Sequence, residues 1–456
     1  MQSDAAGRSR TAGRSRAEHG LRAGTQERED SVNEEKYISI LRREMIPALG
    51  CTEPIAIAYA SAKAREVLGC MPEHIDIRCS GNIVKNVKAV TVPNSGGMVG
   101  IGAAAVLGVL GGNAGAELEV LEGVTEEQIL KAKELLKGDF FSCSLEKDVA
   151  NLYVHAIVTA GEHSAEVTII NRHTLITKIV KDGEVIFEDP EAEKIGVKPN
   201  EDWNVTIRGI LEFARTVDIE KIRDIVERQI TCNMRIAEAG LSGGYGQAVG
   251  ATILISGAES VQTRAKAYAA AGSDARMGGC SLPVVINSGS GNQGMTVSLP
   301  VLQYAKAWGR PEETVFRALC VSNLVSVHLK HFIGSLSAFC GAVTAACGAG
   351  AAITFLAGGS YTQIGNTIIN TLANVGGIVC DGAKASCAAK IASSVEAAIL
   401  GYEMSMRGHV FQPGEGLVQD DIETTIRSIG YVGRIGMKET DQDILDIMLD
   451  KVSLTE

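Results

Sequence analysis

The chain has 456 residues, 45% hydrophobic and 21% charged, the composition of a globular protein with a large core and roughly two or three domains. Its net charge of −11 argues against a nucleic-acid binder, which needs a basic face to displace counterions. Eleven cysteines without a CxxC pair or a signal peptide point to reduced thiols in a cytoplasm, and away from zinc ribbons and thioredoxin chemistry.

Residues 1–33 carry six arginines, five acids and no lysine, with no apolar periodicity, and read as a disordered extension. Glu34 to Leu49 has the pattern of an amphipathic helix ending at Gly50, and Pro54 opens a second helix over Ile55–Leu68. These two form the N-terminal part of a catalytic body, residues 34–70. From His74 to Pro93 the chain reads as extended, with apolar runs at Ile75–Ile77 and Ala89–Val92 around a polar insert at residues 80–86. Gly97–Gly111 is a small-residue helix and Thr125–Leu136 a surface helix. Period-two alternation from Leu152 to Glu188, with a Lys181-Asp-Gly183 turn, predicts an antiparallel meander. Residues 71–220 are thus expected to form an α+β module. Helical patterning fills 221–456, with glycine-rich breaks at Leu241–Gly246 and Ser288–Gly294.

The expected fold class is α+β: a mostly helical catalytic body with an inserted or adjacent module that contains the meander. Only 4% of the residues are aromatic and 51 are glycine, so helices are expected to pack closely. Two uncharged stretches, Gly97–Ala116 and His331–Cys380, are long enough to span a bilayer. Internal glycines in the first, and polar residues in the second, favour buried core helices instead.

That second stretch, together with Cys387, places three cysteines in a dry setting: Cys340, Cys380 and Cys387. Soft metals take thiolates in such surroundings, and three ligands rather than four leave a position open for substrate. Plain burial of small core thiols is the alternative. Asp381-Gly382 offers a break that lets Cys380 sit on a turn and Cys387 on the following helix. Cys347 has no such break before it and reads as a buried structural thiol. Cys51 lies just before a helix start, where amides and dipole favour a thiolate base, or it is a buried cap neighbour. Asn287–Gly294 is a glycine-rich loop able to hold a carboxylate or phosphate. Ser80, Asn82, Lys85 and Asn86, with Asn94, form a second polar cluster.

In combination, Gly50-Cys-Thr-Glu-Pro54, Ser80-x-Asn-Ile-x-Lys-Asn86, Asn287-Ser-Gly-Ser-Gly-Asn-Gln-Gly294 and Gly377-Ile-Val-Cys-Asp-Gly-Ala-Lys-Ala-Ser-Cys387 resemble the L-cysteine desulfidase family, related to the iron–sulfur L-serine dehydratases. The resemblance runs from about Glu34 to near the C-terminus. It implies a [4Fe–4S] cluster on Cys340, Cys380 and Cys387, and Cys51 as the base. It also implies β-elimination of L-cysteine to sulfide, pyruvate and ammonia, with an open iron as Lewis acid. Substrate is expected to contact Ser80, Asn82, Asn86, Asn94, Ser288, Gly289, Ser290, Gly291 and Asn292. After the second motif the chain departs from the family pattern: Val92-Pro-Asn-Ser-Gly96 stands in place of a Pro-Gly-Thr-Gly-like turn, which bears on substrate identity more than on reaction type. A small-molecule substrate, a homodimer, and no nucleic-acid or membrane partner complete the expectation. The rivals are an L-serine dehydratase, a pyridoxal-phosphate dehydratase using Lys384 or Lys266, and a non-enzymatic iron–sulfur sensor.

Overall fold

The computed structural model describes residues 33–191, 203–334 and 336–452, so the expected N-terminal extension lies outside the described residues except for Asn33. The expected α+β class holds: helices predominate, beside one six-stranded and one two-stranded sheet.

Helix α1, Glu34–Glu44, carries acids in its first turn and arginines in its last, as the helix dipole favours. It ends before the expected Leu49. Pro47 lacks the N–H a helix would need, and Pro47–Leu49 instead form strand β1, paired antiparallel with a distant strand at Pro283–Val285. Helix α2, Thr52–Leu68, begins three residues earlier than expected, with Cys51 as N-cap and Gly69 closing it through a bond to the Arg65 carbonyl. Strand β2 covers His74–Cys79 only. The polar insert after it is not extended but coils into α3, Gly81–Val87, whose Ile83 and Val87 lie one turn apart and are both buried. The expected run Ala89–Val92 is not a strand; Thr91 makes a single bridge to Val99.

Helix α4, Gly100–Gly111, is apolar all round and buried from Ala103 to Leu110. It packs on α2 closely enough that a Cβ at Gly108 would come within 2.4 Å of the Ala58 carbonyl oxygen. Helix α5, Glu126–Leu135, starts in a capping box made by Thr125 and Gln128. Strands β3 (Phe141–Leu145), β4 (Tyr153–Ala160), β5 (His163–Ile170), β6 (Ile176–Lys181) and β7 (Glu184–Glu188) join β2 in the order β3-β2-β4-β5-β6-β7. The expected meander is β4 to β7. The β2–β3 pair is parallel, because α3, α4 and α5 make the long crossover between them. Alternate residues of β4 and β5, among them Val154, Ala156, Val167 and Ile169, are buried on the sheet side that packs against α2.

The rest is helical: α6 (Ile207–Thr216), α7 (Arg223–Leu241), α8 (Val249–Ser256), α9 (Val261–Met277), then β8 (Pro283–Val285), α10 (Gly291–Ala307), α11 (Glu312–Ile333), α12 (Gly341–Leu356), α13 (Tyr361–Val375), α14 (Cys387–Met406), α15 (Ile422–Tyr431) and α16 (Lys438–Met448). Helix α12 is the hub, packed by α10, α11, α13 and α14, and its alanines and glycines allow that many neighbours. The two uncharged stretches therefore become interior helices. Among the described residues no helix is long and apolar enough to cross a membrane.

Two consequences can be measured. Gly108→Ala forces a methyl into the α2–α4 contact and should destabilise the protein by about 1–3 kcal/mol in urea unfolding. His331, near the end of α11, stacks on Trp203 with centroids 4.3 Å apart, and its buried Nε2 has no hydrogen-bond partner among the described residues. Burial, then the charges of His328 and Arg434, hold its pKa down to about 4 from 6.5. The folded state thus binds fewer protons than the unfolded state between those values. Stability falls as pH drops from 6.5 towards 4, and His331→Gln should flatten that part of the stability–pH curve relative to the parent.

Candidate active site

The N-terminus of α2 opens onto a cleft with about 760 Å³ of open space. Cys51 caps the helix with extended backbone (φ −84°, ψ 133°), which turns its thiol back onto the first turn, where Sγ donates to Glu53 Oε2 at 3.0 Å. The Thr52 hydroxyl donates to the Gly289 carbonyl at 2.8 Å and fastens the glycine-rich loop to α2. Asn86 Nδ2, from α3, donates to Glu53 Oε1 at 3.2 Å. On the other side of that oxygen stands His173, its Nε2 3.9 Å away, carried by the tight turn between β5 and β6. Arg276, from the end of α9, is 2% exposed and donates through Nε to the Gly50 carbonyl.

These neighbours fix the charges. Burial works to raise the Glu53 carboxyl, but the His173 ring, the Cys51 thiol and Arg276 outweigh it and hold the group down at about 2. Cys51 moves the other way. Burial and the adjacent Glu53 charge push its thiol well above the ordinary range, against the pull of Arg276 and of the helix amide. The expected low-pKa thiolate is thus not the resting state. The helix N-terminus acts in the expected direction, but a buried carboxylate 3.0 Å away is the stronger neighbour.

Three further cysteines line the same cleft, and one of them, Cys387, packs against the cluster of Cys51, Val90 and Met277. Backbone bonds from Cys340 N–H to Ile378 and from Cys380 N–H to Ala338, with a bridge between Phe339 and Val379, zip the Cys340 and Cys380 loops together. The Cys340 thiol donates to the Cys380 sulfur, which pushes Cys340 up and Cys380 down. Burial opposes the Cys380 shift, and Lys85, the Gly382 N–H and Lys330 add to it. The Asp381-Gly382 turn (Gly382 φ +94°) separates Cys380 from Cys387, the first residue of α14. None of the three is in a disulfide, and all line the cleft. Cys347 is fully buried one helix turn pair further along α12 and is absent from the lining. Lys330 lines the cleft 7% exposed, with burial lowering its pKa to about 8.

The donor set fits an iron–sulfur cluster: three free thiols line one cleft, with Lys85 and Lys330 to balance thiolate charge. Among the described residues, no three His, Cys, Asp or Glu side chains sit close enough for one metal ion. A polynuclear cluster instead spreads its thiolates over several irons.

Of the expected substrate contacts, Asn86, Ser288, Gly289, Ser290 and Asn292 line the cleft. Gly291 forms the first turn of α10 behind them, where a Cβ would meet Arg276 Nε at 2.4 Å. Ser80, Asn82 and Asn94 are absent from the lining. Ser80 Oγ donates to the Asn151 carbonyl, Asn82 Nδ2 to Asp441 on α16, and Asn94 Nδ2 to the Leu121 carbonyl. Lys85 is 1% exposed, and its ammonium pairs with Asp441 while reaching the Cys380 carbonyl. Sequence reasoning missed Glu53, His173, Arg276 and Lys330 as site residues. Glu53 stood inside a quoted motif without a role. Arg276 carried a weak signal, as a charge just after the small-residue run Ala269–Ser273.

Fold and site together define a helix-rich α+β protein with a thiol-walled, carboxylate-bearing cleft of enzymatic type. The chain belongs to the serine dehydratase alpha chain family, whose model matches residues 115–446. This family implies a lyase-type dehydratase. The chain is also similar to "UPF0597" proteins of Lachnoclostridium phytofermentans (52% identical over 91% of this chain and 99% of that one) and Finegoldia magna (48% over 91% and 99%). A further such protein, of Treponema denticola, is 46% identical over 92% of this chain and 99% of that one.

The Lys85–Asp441 pair ties α16 to the loop of Cys380. Removing one partner of a buried pair costs about 3–5 kcal/mol, whereas replacing both costs far less. Asp441→Ala should therefore destabilise the protein by that amount in urea unfolding, and Lys85→Met with Asp441→Leu should recover most of it.

Proposed function

We propose that the protein is an iron–sulfur lyase that eliminates the β-substituent of an L-amino acid, with L-cysteine as substrate and sulfide, pyruvate and ammonia as products. The observation that carries this reading is the convergence of Cys340, Cys380 and Cys387 on one cleft that Cys51 and Glu53 also line. Cys340, Cys380 and Cys387 would hold a [4Fe–4S] cluster. When bound, such a cluster supplies an open iron as Lewis acid for the β-leaving group.

The protein's own residues do the rest. The substrate carboxylate goes to the N-terminus of α10, whose first-turn residues Asn292 and Gln293 line the cleft with Ser288 and Ser290, in the manner of helix-terminus anion sites. Cys51 is the base that removes the α-proton. Its resting thiol is protonated, so that proton has to pass to Glu53 Oε2, which already accepts its hydrogen bond, before another is accepted, and Arg276 favours its departure. Phe339, Leu336 and Ile391 line the same cleft and limit water around the reacting carbons. The aminoacrylate released by elimination hydrolyses to pyruvate and ammonia.

The four motifs shared with L-cysteine desulfidases support L-cysteine. L-serine is the second reading, supported by the description of the matched family. Neither lysine of the pyridoxal-phosphate alternative lines the cleft: Lys384 is bound to Asp381 at 2.5 Å and Lys266 pairs with Glu396. A homodimer remains part of the proposal.

Anaerobically prepared protein should contain iron and sulfide and release sulfide from L-cysteine without pyridoxal phosphate. Turnover of L-serine alone would replace the desulfidase reading with the dehydratase one. Ala at Cys340, Cys380 or Cys387 should each lower iron per chain, whereas Cys347→Ala should not. Cys51→Ala should keep its iron and bind substrate, yet lose solvent-deuterium exchange at Cα by about 10²–10⁴-fold. Loss of iron in that variant would make Cys51 a ligand instead.

A further inference from the structure

The turn between β5 and β6 sends one side chain out of the sheet module into the cleft of the helical body. Asn171 (φ +66°) bends the chain, the Arg172 carbonyl accepts from Leu175 N–H, and His173 projects with its side chain 9% exposed. The ring lies against Gly289. A Cβ there would stand 3.1 Å from His173 Cε1, and the φ of +78° independently favours glycine, so the glycine-rich loop is shaped to seat an imidazole.

What the ring does there is unfinished in the protein alone. His173 Nε2 is buried and has no hydrogen-bond partner among the described residues. Its nearest charged neighbour, Glu53 Oε1, is 3.9 Å away, beyond a direct hydrogen bond but within reach of one atom that touches both. The other Glu53 oxygen is taken by Cys51, and Asn86 steadies Oε1 from the side. Among the side chains that line the cleft, Glu53 is the single carboxylate, against the cations Arg276 and Lys330. A small zwitterion entering this cleft finds positive charge and helix amides for its anionic end, and one place for its cationic end.

We propose that Glu53 Oε1 and His173 Nε2 together form the subsite for the α-ammonium group of the substrate, with His173 accepting through Nε2. The subsite rests on the reading of an amino-acid substrate above and adds to it the atoms that distinguish an α-amino acid from an α-hydroxy acid. Two acceptors set 3.9 Å apart suit a tetrahedral ammonium, which can donate to both at once. A hydroxyl has one proton to give and no charge to offer Glu53.

The test uses the anaerobically prepared full-length protein and two ligands without a β-leaving group, L-alanine and L-lactate, which differ at the α-substituent. Dissociation constants come from isothermal titration calorimetry. The parent should bind L-alanine far more tightly than L-lactate. His173→Leu, which keeps bulk and removes the acceptor, should weaken L-alanine by about 10–100-fold and leave L-lactate within about threefold, since a hydrogen bond to a charged group is at stake. Glu53→Gln should abolish the preference. His173→Gln, which can present a carbonyl oxygen, should recover part of the L-alanine affinity and serves as the working variant if the leucine form does not fold. A preference for L-alanine that survives in the Glu53 and His173 variants overturns the subsite, and so does a parent that does not bind L-alanine. Turnover of L-cysteine and L-serine is followed in the same preparations. A parent that prefers L-alanine but turns over neither leaves the subsite standing and removes the lyase reading. A parent that turns over either, with its preference unmoved by the variants, does the reverse.

Discussion

A carboxylate kept ionised inside a protein has to be surrounded by groups that repay its lost hydration, and Glu53 imposes that demand on the cleft. Its hydrogen bonds come from the Cys51 thiol at the helix cap and from Asn86 on α3, and across the gap the His173 ring from the sheet stands 3.9 Å away. Arg276 adds a long-range charge from α9. Each of these positions follows from an element that would be unremarked on its own. The N-cap backbone of Cys51 aims the thiol, the helical form of residues 81–87 aims Asn86, and the β5–β6 turn aims His173. The sheet module is therefore part of the site rather than an appendage to it.

The cysteine wall depends on a different economy of space. Helix α12 tolerates four packed neighbours because its surface is alanine and glycine, and the loops entering α12 and α14 are held by backbone bonds rather than by large side chains. Three thiols can then face one opening while the chain around them stays free of acids, apart from Asp381, which Lys384 and Lys390 neutralise. The thiols are polarised before any ligand arrives, since Lys85 and Lys330 draw negative charge to Cys380.

Much of this was legible in the sequence for simple reasons. Period-two alternation marked β4 to β7, and uncharged small-residue runs marked α4 and α12, because both patterns report burial on a regular element. The break at Asp381-Gly382 and its absence before Cys347 separated a cleft thiol from a core thiol. The failures have physical causes too. Residues 81–87 were read as extended because two short apolar runs flank them, yet seven residues suffice for a two-turn helix when Ile83 and Val87 are buried one turn apart. The direction of the Cys51 shift was misjudged because the helix dipole is visible in a sequence, whereas burial and the orientation of a neighbouring carboxylate are not. His173 gave no signal, since a turn residue in a meander reaches a distant cleft through tertiary packing alone.

The bond from Asn82 to Asp441 joins residues 359 positions apart, and Lys85 is anchored by the same carboxylate. During synthesis at about 5–20 residues per second, α3 waits roughly 20–70 s for the helix that secures it. Until α16 has emerged, Lys85, whose ammonium reaches the Cys380 carbonyl, lacks the carboxylate that holds it in place. The N-terminal helices and the sheet can gather early through local contacts, but the cysteine wall is completed last. Any cofactor delivered to those thiols meets a finished pocket only after nearly the whole chain has been made.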